Sequence, residues 1–362
     1  MSGRQSNIED FFSDAISLLK QLISTPSFSK EENKTADLLE QFLQKKNIKA
    51  NRYLNNVWAA NKHFDESKKT LLLNSHHDTV KPNAGYTLNP FDPMEKDGKL
   101  FGLGSNDAGG CLVSLLATFV YFYEEELPFN IIFAASAEEE ISGKNGVEIL
   151  LQKLPEIDCG IVGEPTLMKM AVAEKGLLVL DCIAHGKAGH AARDEGVNAL
   201  NIAVKDITWL NSFQFPKVSP LLGPVHIAVT SINTENKTHN IVPSECRFLV
   251  DIRVNELYTL EEVVAIIQQN ISSKIQPRSI RLRSSFIDEK HPLVVAGKKL
   301  NISSYGSPTS SDMALMDFSS LKIGPGDSSR SHSADEFIFI NEIKEGITIY
   351  IELIENYALA IA

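Results

Sequence analysis

Apolar positions recur at two different periods along this chain, and the elements they predict change order part-way through. Ile8, Phe11, Phe12, Ala15, Ile16, Leu19, Leu22 and Ile23 fall at helical spacing, so the first element is an amphipathic helix stopped by Pro26. Ser29 followed three residues later by Glu32 has the form of a capping box and predicts a second helix running to about Lys46. Short, mostly apolar strand-like runs then alternate with helices: residues 71–74, an apolar helix after Gly109-Gly110, residues 130–135 and residues 159–163. Such runs are buried on both faces, as in a mostly parallel sheet flanked by helices, so the fold class is α/β.

Beyond Glu174 the order is different. Residues 177–185 read as a strand, 198–213 as a helix, 226–233 and 246–254 as strands, 259–274 as a helix and 280–286 as a strand. That β-α-β-β-α-β series is the order of a split βαβ, or ferredoxin-like, unit. Helical segments near 293–300 and 312–318, a strand around 321–323 and a long helix from about Asn341 follow. At 362 residues the chain exceeds one ordinary core. The expected division is an α/β domain over 1–174 and 287–362, interrupted by an inserted α+β domain over 175–286.

Composition narrows the partners. A net charge of −11 supplies no basic surface for nucleic acid or an anionic membrane. Cys111, Cys159, Cys182 and Cys246 show no C-x-x-C spacing and read as buried free thiols of a reducing compartment. The first ten residues carry no apolar signal core, and the longest apolar stretch, 111–123, is too short to cross a bilayer. The expectation is a cytoplasmic protein with a small-molecule substrate.

Candidate chemistry gathers where apolar strands end. In an open α/β sheet, ligands bind beyond the carboxyl ends of the strands. The first such end is Thr70-Leu-Leu-Leu-Asn-Ser-His76-His77-Asp78, where an imidazole and a carboxylate lie two residues apart. Further on come Asp107 in a glycine-rich turn, Glu138-Glu139-Glu140 after an apolar strand, Glu164 in Gly-Glu-Pro-Thr, and His332 in a late loop. Each has a plainer reading: a turn aspartate capping a helix, a solvated acidic loop, an exposed histidine. Three adjacent carboxylates beside a buried strand repel one another, and a divalent cation is their natural partner. Together the two histidines and several carboxylates form a mixed N/O set suited to Zn²⁺, or to Co²⁺ or Mn²⁺, and able to hold two ions if one carboxylate bridges.

The motifs H-x-D-x-V at His76, G-x-G-x-x-D-x-G-G around Asp107, E-E-x-x-G ending at Gly143, G-E-P-T at Glu164 and the late His332 resemble the dinuclear zinc aminoacylase and carboxypeptidase family. That family includes acetylornithine deacetylase, succinyl-diaminopimelate desuccinylase and carboxypeptidase G, and the likeness runs over nearly the whole chain. It implies a zinc-peptidase-like sheet with the insert as a lid and dimerisation domain, two Zn²⁺ ions, and a homodimer. Asp107 would bridge the ions, His76 and Glu164 completing one and Glu140 and His332 the other. Asp78 would orient His76, and Glu139 would be the general base. The family usually has Asp-Glu-Glu where this chain has Glu138-Glu139-Glu140, which leaves Glu138 as the base if the register is shifted. In the insert, Gly189-His190-Ala191-Ala192 resembles the segment whose histidine reaches the partner's active site, and Asn240 and Arg253 match substrate-contacting positions. Ser311 and Asp312 correspond to a stretch that often lines the substrate, although Met313 and Ala314 stand where relatives often have an arginine.

The implied activity is removal of a small acyl group from an N-acyl-L-amino acid. The nearest likeness is to acetylornithine deacetylase-like enzymes of arginine synthesis, acting on N-acetylornithine or an N-acylcitrulline. The alternatives are succinyl-diaminopimelate desuccinylase and a dipeptidase or carboxypeptidase on the same scaffold. A non-catalytic binding protein is disfavoured, because no ligand and no base is missing from the set.

Overall fold

The computed structural model describes residues 2–193 and 195–361, and these divide into two compact units. One comprises residues 1–172, 286–305 and 311–362; the other comprises 173–285 and 306–310. The second junction differs from the expected division in one respect: residues 306–310 belong with the insert.

The first unit is organised on the strand Thr70–His76, which is buried at all seven positions. It lies between Asn130–Ser136 and Cys159–Val162, parallel to both, and Cys159–Val162 pairs in parallel with Ser319–Lys322. Asn56–Ala60 adds antiparallel to the outer side of Asn130–Ser136. Burial on both faces explains the mostly apolar runs. The helix Gly110–Phe122, apolar almost all round, packs between the helices Ser2–Ile23 and Ile340–Ile361. On this side Phe119 meets Phe133 with ring centroids 6.0 Å apart. A separate cluster of Leu72, Ile132, Ala134 and Leu150, joined by Trp58, Met316 and Phe318, fills another part of the core.

The helix Asn33–Lys45 forms, but not by the predicted cap: Glu32 occupies the N-cap and makes no side-chain capping bond. The segment expected as a helix over 312–318 is a short 3₁₀ turn, Asp312–Leu315. A three-stranded sheet of Met94–Lys96, Lys99–Phe101 and Phe337–Phe339 has no counterpart in the sequence reading. Its strands are three residues each, too short to show a period.

The second unit has four antiparallel strands in the order His226–Asn233, Glu245–Val254, Gly176–His185, Lys274–Pro277, with helices Ala199–Ser212 and Leu260–Asn270. This is ferredoxin-like connectivity. Gly176–His185 alternates buried and half-buried residues along its length, and its buried Leu178, Leu180, Cys182 and Ala184 face a core that includes Ala203, Leu210, Val263 and Ile267. Its last strand is not 280–286. The helix stops at Asn270, and the alternation of buried Ile271, Ser273 and Ile275 with exposed neighbours is strand-like, so Lys274–Pro277 takes the edge beside residues 180–183. All four cysteines are free and buried. No helix among the described residues is long and apolar enough to cross a membrane.

Candidate metal centre and active site

Register places the chemistry. His76 pairs with Ser136 and Asn74 with Val162, so the segments carrying His76, Glu138–Glu140 and Glu164 leave the sheet at one edge. The loop to His332 starts from the neighbouring strand, where Lys322 is level with Val162.

His76 is 1% exposed, and its two nitrogens face different groups. Nδ1 lies 3.0 Å from the main-chain oxygen of Asp78 and 3.4 Å from its Oδ1. Nε2 lies 3.3 Å from Asp107 Oδ1, 3.8 Å from Glu164 Oε1 and 4.0 Å from Glu139 Oε2. The other oxygen of Asp107, Oδ2, is 3.6 Å from His332 Nε2, which is 3.0 Å from Glu140 Oε2. Asp107 thus directs one carboxylate oxygen to each imidazole, the arrangement a bridging ligand requires. Ligand atoms of His76, Glu139 and Glu164, and of His76, Asp107 and Glu140, lie within 4.8 Å of one another.

These residues fit a divalent metal. Glu140 Oε1 is buried without a hydrogen-bond partner, a costly state for a carboxylate oxygen unless a cation meets it. Around it, the carboxylates of Asp107, Glu139 and Glu164 crowd into the same space, an excess of negative charge over the imidazoles of His76 and His332. The nitrogen and oxygen donors suit zinc or its first-row neighbours.

The titration of the cluster reflects that excess. Burial acts to lower the His76 pKa, but hydrogen bonds to Asp107 and Asp78 and the charges of Glu139 and Glu164 outweigh it and hold the group well above its usual value. Burial pushes Glu139 well above the usual carboxylate range; Glu164, Asp312 and Glu140 add to this and His76 opposes it. The hydrogen bond to Glu140 raises His332 to about 9 against partial burial. An imidazole must lose its proton to bind a metal. Zinc added to the metal-free protein near neutral pH is therefore expected to release protons. The number released should fall as pH rises towards 9, and His332→Ala should release fewer. A pH-stat titration checks this; release that does not vary with pH would rule out His332 as a ligand.

Around the cluster, main-chain bonds hold each loop. Asp78 Oδ1 accepts from the Glu139 N–H at 3.0 Å and Oδ2 from the Glu140 N–H at 3.2 Å, so Asp78 holds the glutamate turn as well as His76. Glu336 is a residue the sequence reading missed. Its carboxylate, 2% exposed, accepts from the N–H groups of Gly104, Asn106 and Asp107 at 3.1, 2.8 and 2.9 Å. The signal available was the acidic pair Asp335-Glu336 soon after His332. The Asp107–Ala108 peptide is cis.

Other expected residues sit deeper. Asp312 is 4% exposed, and its Oδ2 accepts from Asn74 Nδ2 at 2.8 Å and Ser136 Oγ at 2.6 Å. Ser311 is also buried and accepts from the Met313 N–H at 3.3 Å. Buried His77 is structural: Thr35 and the Asn55 carbonyl satisfy its nitrogens, and burial lowers it to about 4. Arg330 is bound through both terminal nitrogens to Glu342 at 2.7 and 2.9 Å.

In the second unit, exposed His190 lies on the short strand Gly189–His190, paired with Ile241–Val242. A Cβ at Gly189 would lie 2.1 Å from the Glu195 carbonyl oxygen, so only glycine allows this approach. The Ala192 N–H donates to His190 Nδ1 at 3.2 Å, which leaves the neutral ring its proton on Nε2. Asn240, just before the paired strand Ile241–Val242, is exposed, and its carbonyl accepts from the Ala191 N–H at 3.0 Å. Arg253 is bound along its own strand to Asp251 at 2.9 and 3.2 Å, with its side chain 33% exposed.

Comparison with known proteins places the chain among metallohydrolases. The family model described as peptidase family M20/M25/M40 matches residues 72–356. A succinyl-diaminopimelate desuccinylase of Rickettsia bellii is 25% identical over 284 residues, covering 72% of each chain. An acetylornithine deacetylase of Buchnera aphidicola subsp. Schizaphis graminum is 26% identical over 376 residues, covering 94% of this chain and 97% of its own. Among solved structures, a dinuclear metal-binding peptidase of family M20 from Bacillus subtilis superposes with a TM-score of 0.72 at 14% identity, covering 97% of this chain and 98% of that one.

Proposed function

This chain belongs to peptidase family M20/M25/M40 and is an amide hydrolase, and from that premise we propose that it is a dinuclear zinc enzyme removing a small acyl group from the α-nitrogen of an amino acid. The observation that carries the dinuclear reading is Asp107, whose two oxygens face the imidazoles of His76 and His332, with Glu139 beside them. His76, Asp107 and Glu164 would hold one ion, and Asp107, Glu140 and His332 the other. Bound there, the pair supplies Lewis acidity to the scissile carbonyl and acidity to water.

The chain's own groups do the rest. Glu139 accepts the proton of the attacking water on its carboxylate and returns it to the departing nitrogen. His190 donates its Nε2–H to the developing oxyanion, from the partner chain of a homodimer. The Ala192 N–H supports this role, because it keeps the proton on Nε2 without requiring a charged ring. Asn240 and Arg253 are proposed substrate contacts. If His190 serves the partner, mixed dimers of His190→Ala and Glu139→Gln chains regain activity, since one of their two sites has both groups intact. Mixing two nearly inactive homodimers should restore up to about a quarter of wild-type activity after random exchange; no recovery would sink the shared site.

The first substrate reading is N-acetylornithine or an N-acylcitrulline; the desuccinylase reading is equally favoured by the relatives' names. A succinyl carboxylate calls for a cation. Arg330 is committed to Glu342, whereas the Lys175 ammonium donates to the Pro224 carbonyl at 2.9 Å. Free-amine release by the zinc-loaded enzyme from N-acetylornithine, N-acetylcitrulline, N-succinylcitrulline, N-succinyl-diaminopimelate and one dipeptide tests the proposal. Strong preference for one acyl-amino acid supports deacylation; cleavage of the dipeptide alone would transfer the protein to the peptidases.

A further inference from the structure

Ser29 and Glu32 carry the capping-box pattern, yet neither side chain caps the helix that follows. Both turn towards the strand ends instead. Ser29 Oγ donates to Asp78 Oδ2 at 2.7 Å, and that same oxygen accepts from the Glu140 N–H. Glu32 is 0% exposed, and its Oε1 accepts from the Glu138 N–H at 3.2 Å and from the Lys30 N–H at 2.6 Å. Its Oε2 accepts from Asn55 Nδ2 at 2.8 Å. The segment is itself tied down, since the Thr79 N–H donates to the Ser27 carbonyl at 2.8 Å and Phe28 bridges Thr79 in parallel.

The turn they reach has two main-chain bonds of its own, from the Ser142 N–H to the Glu139 carbonyl at 2.7 Å and from the Gly143 N–H to the Glu138 carbonyl at 2.8 Å, but neither uses the N–H groups of the three glutamates. Glu138 and Ser142 bracket it, both in the left-handed region at φ 55° and 48°. Three consecutive N–H groups, of Glu138, Glu139 and Glu140, donate to carboxylates from elsewhere in the chain: Glu32, Asp78 and Asp78 again. Buried Asn56 accepts from the preceding Ala137 N–H at 3.0 Å and donates to the Asn145 carbonyl at 2.6 Å. A carboxylate accepting main-chain bonds in a buried setting makes strong, directional contacts.

We propose that Ser29 and Glu32 are positioning residues for the general base: they hold the turn that aims Glu139, Ser29 through Asp78 and Glu32 through the Glu138 N–H. This rests on the assignment of Glu139 as base. The two differ from a structural support in what they should change. A base displaced by a fraction of an ångström loses turnover, while substrate binding and metal content stay as they were.

The test uses the full-length zinc-loaded enzyme with N-acetyl-L-ornithine or N-succinyl-diaminopimelate, whichever the wild type turns over faster. Ser29→Ala is expected to lower kcat about tenfold or more, with KM within about twofold and zinc content unchanged. Ser29→Thr, which keeps the hydroxyl, should restore most of the rate. Glu32→Gln keeps one acceptor oxygen and should lower kcat less than Glu32→Ala. In metal-free protein, amide exchange at 138–140 should be faster in Ser29→Ala and Glu32→Gln than in wild type, a readout independent of activity. In a Glu139→Gln background, Ser29→Ala should have no further effect on kcat. Normal kcat in Ser29→Ala beside an inactive Glu139→Gln would overturn the proposal, as would lost zinc or a rise in KM matching the fall in kcat. A near-normal Glu139→Gln would instead remove the assignment of the base. If Glu32→Ala fails to fold, the Ser29 variants decide alone.

Discussion

Glu139→Gln is expected to lower turnover by about 10²–10⁴-fold while both metal ions stay bound, the loss typical of a missing general acid–base. The three adjacent glutamates differ in what they face. Glu138 turns away from the cluster, its carboxylate accepting from Asn145 Nδ2 at 3.1 Å and the Asn145 N–H at 3.4 Å. Glu140 is engaged with His332 at 3.0 Å. Of the three, Glu139 comes within 4.0 Å of His76, Oε2 to Nε2, with a side chain 17% exposed. Burial raises its pKa well above the ordinary range in the metal-free protein. Glutamine matches its shape and removes the basic oxygen. Rate and metal stoichiometry should be measured on the same preparation. A normal rate would move the base to another group, and a lost ion would make Glu139 a ligand.

The second large effect is expected at Asp107. Asp107→Ala should abolish binding of both ions together, with affinity falling by more than the 10–100-fold typical of losing a partner one shell out. The reason is geometric: Oδ1 serves the His76 side at 3.3 Å and Oδ2 the His332 side at 3.6 Å, so one side chain joins two otherwise separate half-sites. The fold should survive, because Glu336 binds the Asp107 loop through main-chain N–H groups that the substitution leaves in place. Equilibrium dialysis with zinc, beside far-ultraviolet circular dichroism, separates the outcomes. Loss of one ion only would mean that Asp107 belongs to a single half-site.

Much of the frame was legible because it depends on local pattern. The mostly apolar runs at 71–74, 130–135 and 159–163 read as strands, and the structure makes them neighbours in a parallel sheet. A ligand-type residue just beyond each run then lies at one edge as a consequence of parallel register. The ferredoxin-like order of the insert was legible for the same reason, except at its end, where the predicted helix runs on to 274 over the strand-like alternation of Ile271, Ser273 and Ile275.

What local pattern could not determine was which side chains each polar residue would find. Ser29 and Glu32 have the spacing of a capping box, but partners 49 and 106 positions away won the competition. Asp312 accepts from Asn74 and Ser136, 238 and 176 positions distant. Glu336 gave no warning of its three bonds to the Asp107 loop. A buried carboxylate must be satisfied by whatever donors the completed fold brings to it, and no residue near it in sequence names them. The sequence by itself determined the elements, their order and the set of groups able to bind metal. Tertiary structure alone decided that Asp107 faces both imidazoles, that Glu138 turns away while Glu139 faces in, and that distant carboxylates hold the turn between them, because those outcomes depend on hydrogen bonds that exist only once the sheet has been assembled.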